Sequence, residues 1–177
     1  MTQAPQTLSD KQMAALLAML VAIMPFSVDA YLPAIPAMAD SLGADIHRIE
    51  QSLSTFMFGV AAGQLVGGSI ADIKGRRVVA LTGLVVYIAS VIGLVFIRSA
   101  DELLLLRMVQ AFGAGMTVVV MGAIVRDNYE GNKAAQMFAL IGIIMMGAPL
   151  VAPMLGAALK ALGGWRLIFG FLALYAA

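Results

Sequence analysis

Six stretches of the chain carry no formal charge: Gln12–Val28, Gln51–Ala71, Val78–Ile97, Met108–Val125, Ala134–Leu159 and Leu167–Ala177. Charged and turn-forming residues collect between them. A helix rises about 1.5 Å per residue and needs roughly 20 apolar residues to cross about 30 Å of hydrocarbon. Ala30–Ala34 lengthens the first run, and Leu103–Leu106 lengthens the fourth, where Arg107 interrupts it. The pattern therefore predicts spanning helices over 12–35, 50–71, 77–98, 102–126 and 133–159. A sixth, from 165 to 177, covers roughly 20 Å and stops inside the membrane. An apolar helix that ends halfway across, with no flanking charge, reads as truncated. The connections Pro36–Glu50, Asp72–Arg77, Arg98–Glu102, Arg126–Lys133 and Lys160–Gly164 are short. Backbone groups in lipid must be satisfied within the helices, so short loops mean an antiparallel bundle. The expected fold is all-α and integral to the membrane, with five full helices and part of a sixth.

Composition agrees. The chain is 62% hydrophobic and 12% charged, against roughly 45–50% and about 25% for a soluble domain. A water-soluble fold of this size has too little polar surface to cover so much apolar side chain. A net charge of +1 offers no attraction to nucleic acid. Without cysteine there are no disulfides, zinc–thiolate sites or iron–sulfur clusters. Lys11, beside Asp10, precedes the first apolar run, which leads into Asp29, Pro33 and Pro36 instead of a short cleavage site. It reads as a span, not a cleaved leader. With the N-terminus in the cytoplasm, Lys11, Lys74, Arg76, Arg77, Arg126 and Lys133 lie inside, and Arg48, Arg98, Lys160 and Arg166 lie outside. The crowding of Lys74, Arg76 and Arg77 in one short loop favours this orientation.

Ionisable groups inside a bilayer are costly and mark candidate sites. Asp29 and Arg107 are the two here. Asp29 sits roughly 6–10 Å below the outer surface on the first span, and Arg107 roughly 8–9 Å down on the fourth. Opposite charges at similar depth suggest a buried pair facing a shared, water-accessible cavity. The plainer alternative has Arg107 snorkelling to the interface and Asp29 merely near a helix end. Gln64 is a third midspan polar group, read as interhelical glue or as a ligand.

Gly59, Gly63 and Gly67 form a small-residue stripe that lets another helix approach closely. Ala148, Ala152 and Gly156 form a second, interleaved with Pro149 and Pro153, which can bend the fifth span. The third span, with only Thr82, Tyr87 and Ser90 as polar groups, is expected to face lipid, while spans one, two, four and five face each other or a cavity.

In the loop Asp72–Arg77, Asp72 ends a helix whose dipole disfavours an anion. Arg76 can reach it if Gly75 makes the tight turn. Asp127 ends the fourth span with the same need, so one guanidinium could bridge both helix ends. Ordinary anchoring by basic residues is the alternative. His47 reads as solvated, and the methionines as flexible apolar filler, with Met145 and Met146 able to soften a pocket. Trp165 and Arg166 read as an interfacial anchor. There is no nucleotide loop, metal-ligand spacing or nucleophile–base pair, so neither enzyme chemistry nor a cofactor is expected.

These residues, in order, carry a resemblance. Gly68-x3-Asp72-x2-Gly75-Arg76-Arg77 is similar to the signature loop between helices 2 and 3 of the major facilitator superfamily. Arg107-x2-Gln110-Ala111-x-Gly113 resembles its helix 4 motif. Asp29-Ala30-Tyr31-Leu32-Pro33-Ala34-Ile35-Pro36 is close to the helix 1 pattern of bicyclomycin-resistance (Bcr/CflA) drug exporters. Gly63-Gln64, Val125-Arg126-Asp127 and Gly164-Trp165-Arg166-x2-Phe169 fit the same group. The resemblance covers about residues 12–177. It departs from the family at Ile73, where a basic residue is usual, at Ala111, and in a helix 5 antiporter motif, Ala148-x3-Ala152-Pro153-x2-Gly156-Ala157, that has Ala at several Gly positions.

The resemblance implies the N-terminal six-helix half of a two-half transporter, with a substrate site between the halves. It implies export of small apolar or cationic drugs in exchange for protons across a bacterial-type inner membrane. The proton gradient would be the energy source, and a C-terminal half the missing partner. In that scheme Asp29 carries the proton or engages substrate, and Arg107 biases its proton affinity. Gln64, Tyr31 and Gln110 join them at the cavity. Gly68, Asp72, Gly75, Arg76, Arg77 and Asp127 form an inner latch, and Ala152, Pro153 and Gly156 pack tightly where the halves separate. A metabolite symporter on the same scaffold, or a non-transporting membrane remnant or assembly partner, are the alternatives. The 177 residues alone are expected not to transport.

Overall fold

The computed structural model describes the backbone from Asp10 and the side chains from Gln12, through to Ala177; the Lys11 side chain, expected at the inner face, lies outside the described residues. The described chain is built of helices: α1 (Asp10–Asp29), a 3-10 turn (Leu32–Ala34), α2 (Ile35–Leu42), α3 (Ile46–Lys74), α4 (Arg76–Val95), α5 (Ala100–Val119), α6 (Met121–Asn128), α7 (Gly131–Gly163) and α8 (Trp165–Ala176). Five spans are long and apolar enough to cross a membrane: Gln12–Leu42, Ile46–Lys74, Arg76–Val95, Ala100–Asn128 and Gly131–Gly163, with Trp165–Ala176 a shorter apolar helix.

The boundaries differ most at the first span. Helix does not end near Pro33–Pro36. The chain breaks at Ala30–Tyr31 and resumes, with Pro33 and Pro36 in the first positions of the 3-10 turn and of α2. Proline is tolerated there because those N–H groups have no helical acceptor. The supposed loop Pro36–Glu50 is thus mostly helix. Gly43, at φ +60°, closes α2, and the Asp45 carboxylate accepts from the His47 N–H at 2.8 Å to open α3. Ser99 opens α5 in the same way by accepting from Glu102 N–H, while the Glu102 carboxylate reaches back to Arg98 N–H, a close relative of the reciprocal capping box.

α5 lies at the centre, packed on both α3 and α4, and its span is the most buried. Glycines permit this approach. A methyl group on Gly59 would strike the Met108 carbonyl and Ala111, one on Gly63 the Phe112 carbonyl, and one on Gly67 the Met116 backbone. Gly115 of α5 meets Val60 in the same α3 seam, and on the other side Gly113 meets the backbone of Gly83 and Tyr87 of α4. Lipid offers no hydrophobic drive between helices, so close backbone contact of this kind is what holds them. The glycine stripe read from α3 is therefore its seam with α5.

α4 is not a lipid-facing bystander. Val79, Gly83, Tyr87, Ser90, Val91 and Leu94 are buried against α5 and α8. Instead α7 is the least buried span, with Met146, Leu150 and Met154 exposed. Its stripe turns inward onto α1: Ala152 is fully buried, and a methyl group on Gly156 would collide with the Ala30 carbonyl. Pro149 and Pro153 stay within one continuous helix. At the C-terminal end of α7 the Lys160 ammonium donates to the Pro33 carbonyl at 3.1 Å, tying α7 to the break after α1.

Candidate functional site

Arg107 is the largest fully buried side chain. Its place follows from how α1 ends. The last four carbonyls of a helix lack internal donors and carry the negative end of its dipole. Ser27 owns one of these carbonyls, and Arg107 Nη1 donates to it at 2.8 Å. The same nitrogen donates to Gln110 Oε1 at 2.9 Å, one turn along α5. The guanidinium lies between two aromatic faces, Tyr31 and Phe56, each with its ring centre 4.3 Å from Cζ. A desolvated cation on an aromatic face is stabilised by about 2 kcal/mol. Tyr31 is held in turn by Ser52 of α3, hydroxyl to hydroxyl at 2.8 Å.

A second layer of hydroxyls stands behind. Ser27 Oγ donates to the Ile23 carbonyl at 2.7 Å, which uses its only proton. The 2.6 Å contact between Ser27 Oγ and the Tyr87 hydroxyl must then be a bond donated by Tyr87. Gln110 Nε2 approaches the same oxygen at 3.5 Å. Four spans thus meet at one polar centre through Ser27, Tyr31, Phe56, Tyr87, Arg107 and Gln110, while Arg107 Nε and Nη2 remain buried without a hydrogen-bond partner.

Asp29 does not join this centre as an ion pair. Among the described residues the ion pairs are His47–Glu50, Arg48–Asp101 and Arg76–Asp127. Ser27 and Asp29 are two residues apart, which points their side chains to nearly opposite sides of α1. The face that meets Arg107 is that of Ser27 and Tyr31, and Asp29 is left partly exposed. The expected pair fails on azimuth: Asp29 lies on another side of α1 from the one that meets Arg107. Gln64, partly buried on α3, makes no hydrogen bond among the described residues.

At the opposite end of the bundle, expected to be the inner one, Gly75 alone joins α3 to α4. It has φ +89° and its N–H bonds the Ala71 carbonyl at 3.0 Å. Arg76 pairs with Asp127 across the ends of α4 and α6, but does not bridge to Asp72, which is exposed. Arg77 is exposed beside it, and Gly68 has room for a methyl group. A cavity of about 530 Å³ opens at this end between α1, α4 and α6, lined by Met13, Leu20, Leu84, Arg76 and Asp127 among others; none of the Arg107 network lines it.

Trp165 and Arg166, expected as an interfacial anchor, both contact neighbouring helices. Trp165 is buried within the protein, and its Nε1 donates to Ser41 Oγ at 3.2 Å. Arg166 stacks on it at 4.1 Å and donates to the Val95 and Ile97 carbonyls, which closes the exposed end of α4.

Sequence reasoning located Arg107, Tyr31 and Gln110 but missed Ser27, Ser52, Phe56 and Tyr87. For Tyr87 a signal was present: Gly83, Tyr87 and Ser90 recur at helical spacing on one face of the third span, a face built for contact.

Fold and site together define a multi-pass helical membrane protein with a cation buried at the meeting of four spans. Residues 16–177 match the Major Facilitator Superfamily, and the chain belongs to that family. It is 39% identical over 148 residues to the chloramphenicol resistance protein of Pseudomonas aeruginosa, covering 83% of this chain and 35% of that protein. It is 33% identical to a bicyclomycin resistance protein homolog of Haemophilus influenzae, covering 86% and 38%. With the multidrug resistance protein MdtL of Klebsiella pneumoniae strain 342 the identity is 31%, covering 85% and 38%. The chain spans well under half the length of these relatives, matching their N-terminal part.

Proposed function

We propose that this chain supplies one six-helix half of a drug exporter that exchanges drug for protons across a bacterial inner membrane, with its N-terminus in the cytoplasm. One observation carries the reading: a guanidinium is buried at membrane depth without a carboxylate partner, and two of its nitrogens are unsatisfied. Burying such a group is costly, and a purely structural role would be met more cheaply by apolar packing. The names of the relatives support drugs as the cargo. Asp29, partly exposed beside the helix break, takes and releases the proton, and Arg107 biases it through the shared α1 terminus. Tyr31, Gln64 and Gln110 flank the cargo path, and a second half completes the wall. Arg76 and Asp127 hold the inner side in one conformation, with Asp72 and Arg77 free to engage the second half.

The test is chloramphenicol accumulation in cells making this chain together with a complementary C-terminal half. Wild type is expected to lower accumulation, and collapsing the pH gradient to restore it. Asp29→Asn and Arg107→Ala are each expected to cut export about tenfold or more, the scale at which a required proton-transfer group is lost. Export undiminished in both variants would remove these residues from the mechanism.

A further inference from the structure

The fully buried Tyr87 hydroxyl, sent into the site from α4, has no part in the exchange scheme above. Its bond to Ser27 Oγ has a fixed direction, because Ser27 has already given its proton to the Ile23 carbonyl. Ser27 Oγ is therefore held as an acceptor, and Gln110 turns its amide nitrogen toward it. That orientation puts Gln110 Oε1 on Arg107 Nη1. Reversed, the amide would set N–H against N–H. We infer that Tyr87 is a positioning residue: acting through Ser27 and Gln110, it fixes the rotation of the Arg107 guanidinium, so that Nη1 is spent on the protein and the buried, unpaired Nε–Nη2 edge is the one left for an acceptor. This rests on the reading that Arg107 serves exchange.

Two parallel N–H groups on a planar fork match a two-oxygen acceptor, such as a carboxylate, or a pair of waters. Fixing the guanidinium in the ground state means that it need not reorganise when that acceptor arrives. The hydroxyl also couples the third span to the site, since any slide of α4 against α1 lengthens a 2.6 Å bond.

The experiment uses the whole chain in lipid nanodiscs with ¹⁵N-labelled arginine, the Arg107 signals being assigned by their loss in Arg107→Lys. In the unaltered chain Arg107 is expected to give separate, slowly exchanging Nη resonances. Tyr87→Phe keeps the ring and its packing but removes the donor, and is expected to speed rotation of the guanidinium about fivefold to tenfold and merge those resonances. Val91→Ala trims the same buried face one turn on and is expected to leave them separate. Unchanged Arg107 signals in Tyr87→Phe overturn the proposal. So does equal merging in Val91→Ala, which would mean general loosening, and so do averaged signals in the unaltered chain. These resonances need no transport. If no assembly of this chain exchanges drug for protons, the export reading falls while the assignment of Tyr87 is still decided.

Discussion

Arg107 and Phe56 face each other across the α5–α3 seam with 4.3 Å between cation and ring. In this dry setting the ring stands where a counter-ion or water would otherwise be needed. A double-mutant cycle with Phe56→Leu and Arg107→Met is expected to give a coupling energy of about 1–2 kcal/mol. Reversible unfolding in mixed micelles reads it. Coupling of only a few tenths would mean that the stacking adds nothing beyond packing. Arg107→Met alone is expected to change stability by no more than about 1 kcal/mol, because removing a buried charge offsets the lost bonds. In the proposed exporter it is nevertheless expected to abolish export. At this scale the sequence was partly legible. A charge in Leu103–Arg107 advertises itself, whereas Phe56 and Tyr87 look like any aromatic in an apolar run. Depth along a helix can be counted from residue numbers, but azimuth depends on where the neighbouring helix sits. That is why Asp29 was expected to pair with Arg107 and Ser27 was overlooked.

Glycines separate two kinds of position along α3. Gly63 and Gly68 stand in the same span and look equivalent in sequence. A methyl group on Gly63 meets the Phe112 carbonyl, whereas one on Gly68 meets only a Val119 methyl at 3.8 Å. Gly63→Ala is expected to cost about 1–3 kcal/mol through overpacking. Gly68→Ala is expected to be neutral or stabilising by up to about 1 kcal/mol, since alanine favours helix over glycine. Thermal denaturation in detergent compares the two, and equal losses would contradict the α3–α5 seam. The helices themselves were legible because their apolar runs are long. The inward turn of the α7 stripe onto α1, and the burial of α4, were not. Small residues announce close approach without naming the partner, and a lack of charge does not mean contact with lipid.

The Arg76–Asp127 pair, which ties the start of α4 to the end of α6, belongs to the whole molecule. Both side chains are about 40% exposed, so the pair contributes about 0.2–1 kcal/mol, less in high salt. That is too little to hold the fold. It is enough to shift a two-state equilibrium up to about fivefold. Asp127→Asn is accordingly expected to lower the unfolding free energy by no more than about 1 kcal/mol while changing, in the proposed exporter, which side is open. Accessibility of a single cysteine at each mouth would register that change. A large loss of stability would mean that the pair is structural.

The cations at the two ends differ in what they do. On the expected outer side Arg48 pairs with Asp101 at 2.5 Å, Lys160 is spent on the Pro33 carbonyl, and Arg166 on the end of α4. On the expected inner side Arg77 and Lys74 are exposed next to the Arg76–Asp127 pair. The cavity wall places the start of α1, at Met13 and Leu16, at the same end as Arg76 and Arg77. The expected inner side thus carries the crowded Lys74, Arg76 and Arg77 in a short loop, the kind of lysine and arginine cluster that the positive-inside rule weights most. Because the chain has no cysteine, single introduced thiols report cleanly. Arg98→Cys is expected to react with a membrane-impermeant thiol reagent on intact cells, and Arg77→Cys only after permeabilisation. The opposite pattern would invert the molecule and place the Arg76–Asp127 pair on the outer face.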